Sequence, residues 1–197
     1  MNYLVHLYLS DPEPKVRLGN LMGDFVKGDL SRSGYDRQII RGLSQHRTID
    51  SFCHVSRAVR ESKNRIDKRF GYFRGILVDV FYDHFLARNW SDFSVCSLET
   101  FAEETYQLLR SYHDILPERL QQVAPRMISH NWLVSYREVA VIEKALLRIG
   151  QRLSRANPLA EGYTELLLHY DELEADAALF LDEARTHLAA LGDKAEI

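Results

Sequence analysis

The chain has 197 residues, of which 46% are hydrophobic, 27% charged and 11% aromatic, with a formal net charge of −3. That length can bury one sizeable core, and the apolar fraction excludes a disordered chain. Five prolines and ten glycines exclude collagen-like or linker-rich material, and the slight negative charge offers no general attraction to nucleic acid.

In chain order, Met1–Leu9 lacks the basic region of a secretory signal and is interrupted by Asn2 and His6. No apolar run approaches the roughly eighteen residues of a membrane span. Cys53 and Cys96 are too few for a disulfide framework and suit a reducing compartment, so a cytoplasmic domain with no membrane partner is expected. Gly19–Val26 places Asn20 and Asp24 at i, i+4 among apolar residues. Gly19 and Gly23 are unfavourable in a helix interior, and close approach of a backbone or ligand to that face would explain them.

The next stripe runs through Ile39, Leu43, Ile49 and Cys53, and His46 and Asp50 fall on the same helical face. A histidine and a carboxylate on an apolar face must be paired, hydrogen-bonded or metal-bound. They make either a satisfied core pair or part of a site. Arg57, Arg60, Lys63, Arg65, Lys68, Arg69 and Arg74 then face only Glu61 and Asp67, which reads as a solvated face or a basic lip.

Phe73–Trp90 is apolar nearly all round and predicts a central helix, yet it carries Asp79, Asp83 and His84. Two carboxylates one turn apart repel, and either a cation between them or a neutral partner relieves this; a solvated face is the alternative. Further stripes at Leu98–Tyr112, Trp132–Ile149 and Leu166–Leu188 recur at three and four. One all-α domain over 1–197 is predicted, with Ser97 and Asn157-Pro158 at helix boundaries. Its His and Asp residues form the mixed N/O set of a divalent hydrolytic centre, open to Mn, Fe, Mg or Zn.

The motifs Met1-Asn-Tyr-Leu-Val-His-Leu7, Gly19-Asn-Leu-Met-Gly-Asp-Phe-Val-Lys-Gly28, His46-Arg-Thr-Ile-Asp50 and Asp79-Val-Phe-Tyr-Asp-His-Phe-Leu-Ala-Arg-Asn-Trp90 resemble, in order and spacing, the acyl carrier protein phosphodiesterase family. Trp132-Leu-Val-Ser-Tyr136 resembles a later segment of that family. The resemblance implies a helical fold distantly related to HD phosphohydrolases. It also implies a manganese-dependent hydrolysis that removes 4′-phosphopantetheine from the serine of holo-acyl carrier protein. The HD order itself is absent, since the pairs here are His46…Asp50 and Asp83-His84. Many relatives continue the His46 motif with Phe-Thr-Asp; this chain has Phe52-Cys53-His54.

On this reading His6, Asp24, His46, Asp79 and Asp83 are expected to hold Mn²⁺ or another divalent metal. Arg47 is expected to clamp a phosphoryl oxygen, and Asp50 or His84 to orient groups or pass a proton. Arg57, Arg60, Lys68 and Arg74 would face the acidic carrier, holo or acylated. The rival expectations are a phosphohydrolase for a nucleotide or other small phosphoester, and a non-catalytic helical module.

Overall fold

A computed structural model describes residues 3–195; Met1 and Asn2 of the opening motif, with residues 196–197, lie outside the described residues. The described residues form helices and no strand, in the order α1 (Tyr3–Tyr8), α2 (Pro14–Met22), α3 (Arg37–Val55), α4 (Arg57–Arg65), α5 (Arg74–Arg88), α6 (Trp90–Phe93), α7 (Leu98–Ser111), α8 (Glu118–Ser129), α9 (Trp132–Ser135), α10 (Val139–Arg152), α11 (Gly162–Leu168) and α12 (Tyr170–Ala195). The fold is all-α, as its periodicity requires.

Helix α5 lies at the centre. Leu77, Val78, Val80, Phe81, Tyr82, Phe85, Leu86 and Ala87 are buried, the burial expected of a helix that is apolar all round. It packs against α1, α4, α10 and α12. Its ends are tighter than the sequence suggests: Phe73 closes a 3-10 helix, Lys68–Phe73, and Trp90 opens α6 after a turn at Asn89.

Helices α2 and α3 make the most intimate crossing, and glycine allows it. A Cβ on Gly19 would strike the Ile39 carbonyl, and one on Gly42 would strike the Val16 carbonyl. The close approach expected at Gly19 is therefore made by another backbone. Helix α3 starts on Asp36, whose carboxylate accepts the N–H groups of Gln38 and Ile39 at 3.0 Å each, satisfying two of the donors a helix start leaves open.

Two expected helices are broken. The Trp132–Ile149 stripe divides into α9 and α10, and the Leu166–Leu188 stripe divides at His169 into α11 and α12. Both breaks serve one buried side chain. The Tyr136 carbonyl, just after α9, accepts from His84 Nδ1 at 2.7 Å, and the Tyr170 hydroxyl, at the start of α12, lies 2.7 Å from His84 Nε2. The basic run is also divided. Ser56 ends α3 and caps α4 through Val59 N, and α4 stops at Arg65, so Lys68 belongs to the following 3-10 helix and leaves the face of Arg57 and Arg60.

A polar network ties the C-terminal helix to this frame. Ser62 Oγ donates to Asp176 Oδ2 at 2.9 Å and lies 2.9 Å from the Tyr82 hydroxyl. Arg65 Nε reaches the same carboxylate at 3.0 Å. Helices α4, α5 and α12 are thereby joined.

Candidate metal centre

Helix α1 supplies His6 and α3 supplies His46 and Asp50. The two imidazoles stack nearly parallel, with centroids 3.9 Å apart and 17° between planes. Both face one carboxylate: His6 Nε2 lies 3.2 Å from Asp50 Oδ1, and His46 Nε2 lies 3.4 Å from Asp50 Oδ2. One ligand atom from each of the three falls within 4.8 Å of the others. The rings are buried, whereas the Asp50 side chain is 53% exposed. The centre thus has a closed histidine wall and an open carboxylate edge.

Local packing holds His46 in one orientation. Its ring lies directly over Gly23, where a Cβ would collide with the imidazole. Its Nδ1 donates to the Asn20 carbonyl at 2.9 Å. A carbonyl can only accept, so Nδ1 carries the hydrogen and the Nε2 lone pair points at carboxylate oxygens. That pairing of a lone pair with carboxylates calls for a proton or a metal cation between them.

The electrostatics suit a cation. Burial pushes the His6 imidazole below its ordinary pKa, and the charge of His46 adds to that. Burial raises the Asp50 carboxyl, but the two imidazoles of His46 and His6 that face it outweigh this and hold it well below the usual carboxylate range. A neutral histidine beside an ionised carboxylate is the protonation state that metal binding needs. His6 Nδ1 is buried with no hydrogen-bond partner among the described residues. The residues present therefore fit a divalent ion.

Asp24 is the only other expected ligand near this group. It sits in the turn after α2 rather than on the helix, with Oδ1 3.9 Å from His46 Nε2 and the side chain 30% exposed. Asp79 and Asp83 are not brought into it. Asp83 is fully buried and accepts from the backbone N–H groups of Val5 at 2.9 Å and Leu4 at 3.2 Å. It acts as an external cap on the first turn of α1. Burial raises this carboxyl to about 7 against the two N–H bonds, and Asp79 adds to the rise. The repulsion expected between the two carboxylates thus appears here as a small addition to the effect of burial on Asp83. Asp79 is half-buried on the same helix.

His84, the other residue expected to orient groups or pass a proton, is held in the core. Burial pushes the ring below its ordinary pKa, and both nitrogens are engaged, Nδ1 donating to Tyr136 O and Nε2 accepting from the Tyr170 hydroxyl. It is a satisfied core histidine. Arg47 Nη2 donates to the Gly28 carbonyl at 2.7 Å, which pins the loop that follows Asp24. His54 lies at the exposed end of α3.

Much of the basic run has partners within the chain. Arg65 pairs with Asp176, Arg69 with Glu161 at 2.7 Å, and Arg57 approaches Glu61 at 3.9 Å. Arg74 donates to the carbonyls of Gly71 and Lys63. Arg60 and Lys68 remain exposed. One positioning residue escaped the sequence reading: Gln45, next to His46, whose Oε1 accepts from Asn20 Nδ2, Asp11 N and Ser10 Oγ at 3.1–3.3 Å. Its only sequence signal was adjacency to a ligand candidate.

Comparisons with known proteins point to one family. The family model described as acyl carrier protein phosphodiesterase matches residues 1–184. Proteins named acyl carrier protein phosphodiesterase are similar to the chain: one from Escherichia coli O6:H1 is 32% identical over 178 residues, covering 88% of this chain and 90% of that one. One from Yersinia enterocolitica is 30% identical over 175 residues, with coverage of 88% and 90%. One from Photorhabdus laumondii is 27% identical over 176 residues, with coverage of 89% and 88%. No solved structure matches. With His6, Asp24, His46 and Asp50 meeting at one place and the family model running through all four, the chain belongs to the acyl carrier protein phosphodiesterase family.

Proposed function

We propose that the protein hydrolyses the phosphodiester joining 4′-phosphopantetheine to the serine of holo-acyl carrier protein, releasing the apo carrier. The observation that carries this is the convergence of His6, His46 and Asp50 in a chain of this family. These three residues would hold a divalent cation, with manganese the expected ion. Bound there, it would polarise phosphoryl oxygens and acidify a water.

The remaining work falls to the chain. Asn20 holds His46 in the tautomer whose Nε2 is a ligand, and Gly23 lets the ring sit flat against α2. Asp24, partly exposed and beside His46 Nε2, accepts the proton of the attacking water as its oxygen bonds to phosphorus. The bond to the serine oxygen breaks, and that oxygen takes a proton from solvent through the open Asp50 edge. Arg47 keeps guanidinium donors beyond the one given to Gly28, and these meet a non-bridging oxygen. The exposed cations Arg57, Arg60 and Lys68 meet the acidic carrier, so reversing all three to Glu raises the apparent KM for carrier several-fold, more so at low salt.

The direct test is to incubate the protein with holo-acyl carrier protein and weigh the carrier. Loss of the phosphopantetheine mass with Mn²⁺ present, abolished by chelation and restored by Mn²⁺, is the expected result. Full turnover by metal-stripped protein would exclude the metal assignment, and an unchanged carrier mass would exclude the function.

A further inference from the structure

A pocket of about 190 Å³ opens between α1, α9 and α10. Tyr3, Trp132, Tyr136, Val141, Ala145 and Ile149 give it an apolar and aromatic lining. Lys144, Arg148 and Arg152 line it too, at i, i+4 and i+8 on α10. None of the three forms an ion pair among the described residues. Like charges at this spacing destabilise a helix, and an anionic ligand relieves the repulsion.

Tyr3 is the pocket's link to the centre, since it lies on the helix that carries His6 and is close enough to Asp24 to feel its charge. That residue precedes His6 by three positions on α1, about one helical turn or roughly 5 Å. Its ring also stacks parallel to Phe25, centroids 6.5 Å apart, and Phe25 follows Asp24. A ligand whose phosphate lies at the His–Asp centre therefore has a lined path for whatever is attached to that phosphate. Pantetheine is a slender chain with a geminal dimethyl group, two amides and a terminal thiol. It matches a narrow apolar cleft with a cationic rim.

We propose that this pocket receives the pantetheine arm of the carrier's prosthetic group, with its phosphate at the Tyr3 end, between His6 and the cationic rim of α10, and its uncharged thiol end toward Trp132. The inference rests on the phosphodiesterase reading and adds a site for the non-reacting part of the substrate. Free 4′-phosphopantetheine, the product, should bind the wild-type protein saturably and change the fluorescence of Trp132. Ala145→Trp fills the cleft and should weaken that binding at least ten-fold with an unchanged melting temperature. Arg148→Glu with Arg152→Glu should weaken 4′-phosphopantetheine more than uncharged pantetheine.

Ala145→Trp that folds and binds 4′-phosphopantetheine as wild type does overturns the proposal. So does saturable binding, seen by calorimetry, that leaves Trp132 unaffected. If Ala145→Trp does not fold, Val141→Phe replaces it with the same expectations. The carrier mass assay separates the two ideas. Wild type that cleaves holo-acyl carrier protein, with a folded pocket variant of unchanged KM, sinks the pocket alone. Wild type that binds 4′-phosphopantetheine through Trp132 but leaves the carrier intact sinks the reaction and keeps the pocket.

Discussion

The histidine wall depends on an absence, the missing side chain at Gly23. Gly23→Ala puts a methyl group into the His46 imidazole, and the ring is the softer partner. Overpacking of this kind costs about 1–3 kcal/mol, but rotation of His46 also removes its Nε2 from the cluster. The expected outcome is a fall in kcat of about a hundredfold with only a modest drop in the urea midpoint, measured on the same preparation. Asp50→Asn should instead leave stability within about 1 kcal/mol, because the group is half-exposed, while abolishing measurable Mn²⁺ binding.

Asp83 makes a different prediction. Burial holds its folded carboxyl near 7, against roughly 3.9 when unfolded. Between those values the folded state binds the extra proton, so stability falls as pH rises from about 4 to about 7. Asp83→Asn should flatten that slope, in denaturant titrations at pH 5 and pH 7.5, since the amide cannot ionise and keeps a carbonyl to accept from α1.

At the scale of the element, α3 carries the site and can be probed from its remote end. Asp36→Ala removes the cap and should lower stability by about 1 kcal/mol, with kcat unchanged, because His46 and Asp50 lie more than two turns away. The helical character of α3 and α5, and the placing of His46 above Asp50, were legible in the sequence because a period near 3.6 within one segment fixes both. What docks on a helix is not written in its own period. The carboxylate pair of α5 looked like one ligand set, yet Asp83 serves the backbone of residues 4 and 5 from 79 and 78 positions away. The breaks at Tyr136 and His169 were hidden for the same reason: the apolar stripes continue through them, while the backbone turns to reach His84. Gly19 and Gly23 announced close approach, but whether to backbone or to imidazole could be learned only from the crossing of α2 and α3.

For the whole molecule, α12 is the outer strap over α4 and α5. Asp176→Ala leaves Ser62 and Arg65 without their acceptor, and a loss of about 1–3 kcal/mol is expected, read by thermal unfolding. Helix α1 is held from the opposite direction. Six residues cannot sustain a helix alone, so α1 exists because the Asp83 carboxylate receives its first-turn N–H groups. The chain grows from its N-terminus, and His6 is therefore synthesised long before the residue that positions it. Until α5 has formed and been buried, the first residue of the candidate centre to be made has no fixed address. The centre should assemble late in folding, with native Mn²⁺ affinity appearing only after α5 is protected from amide exchange.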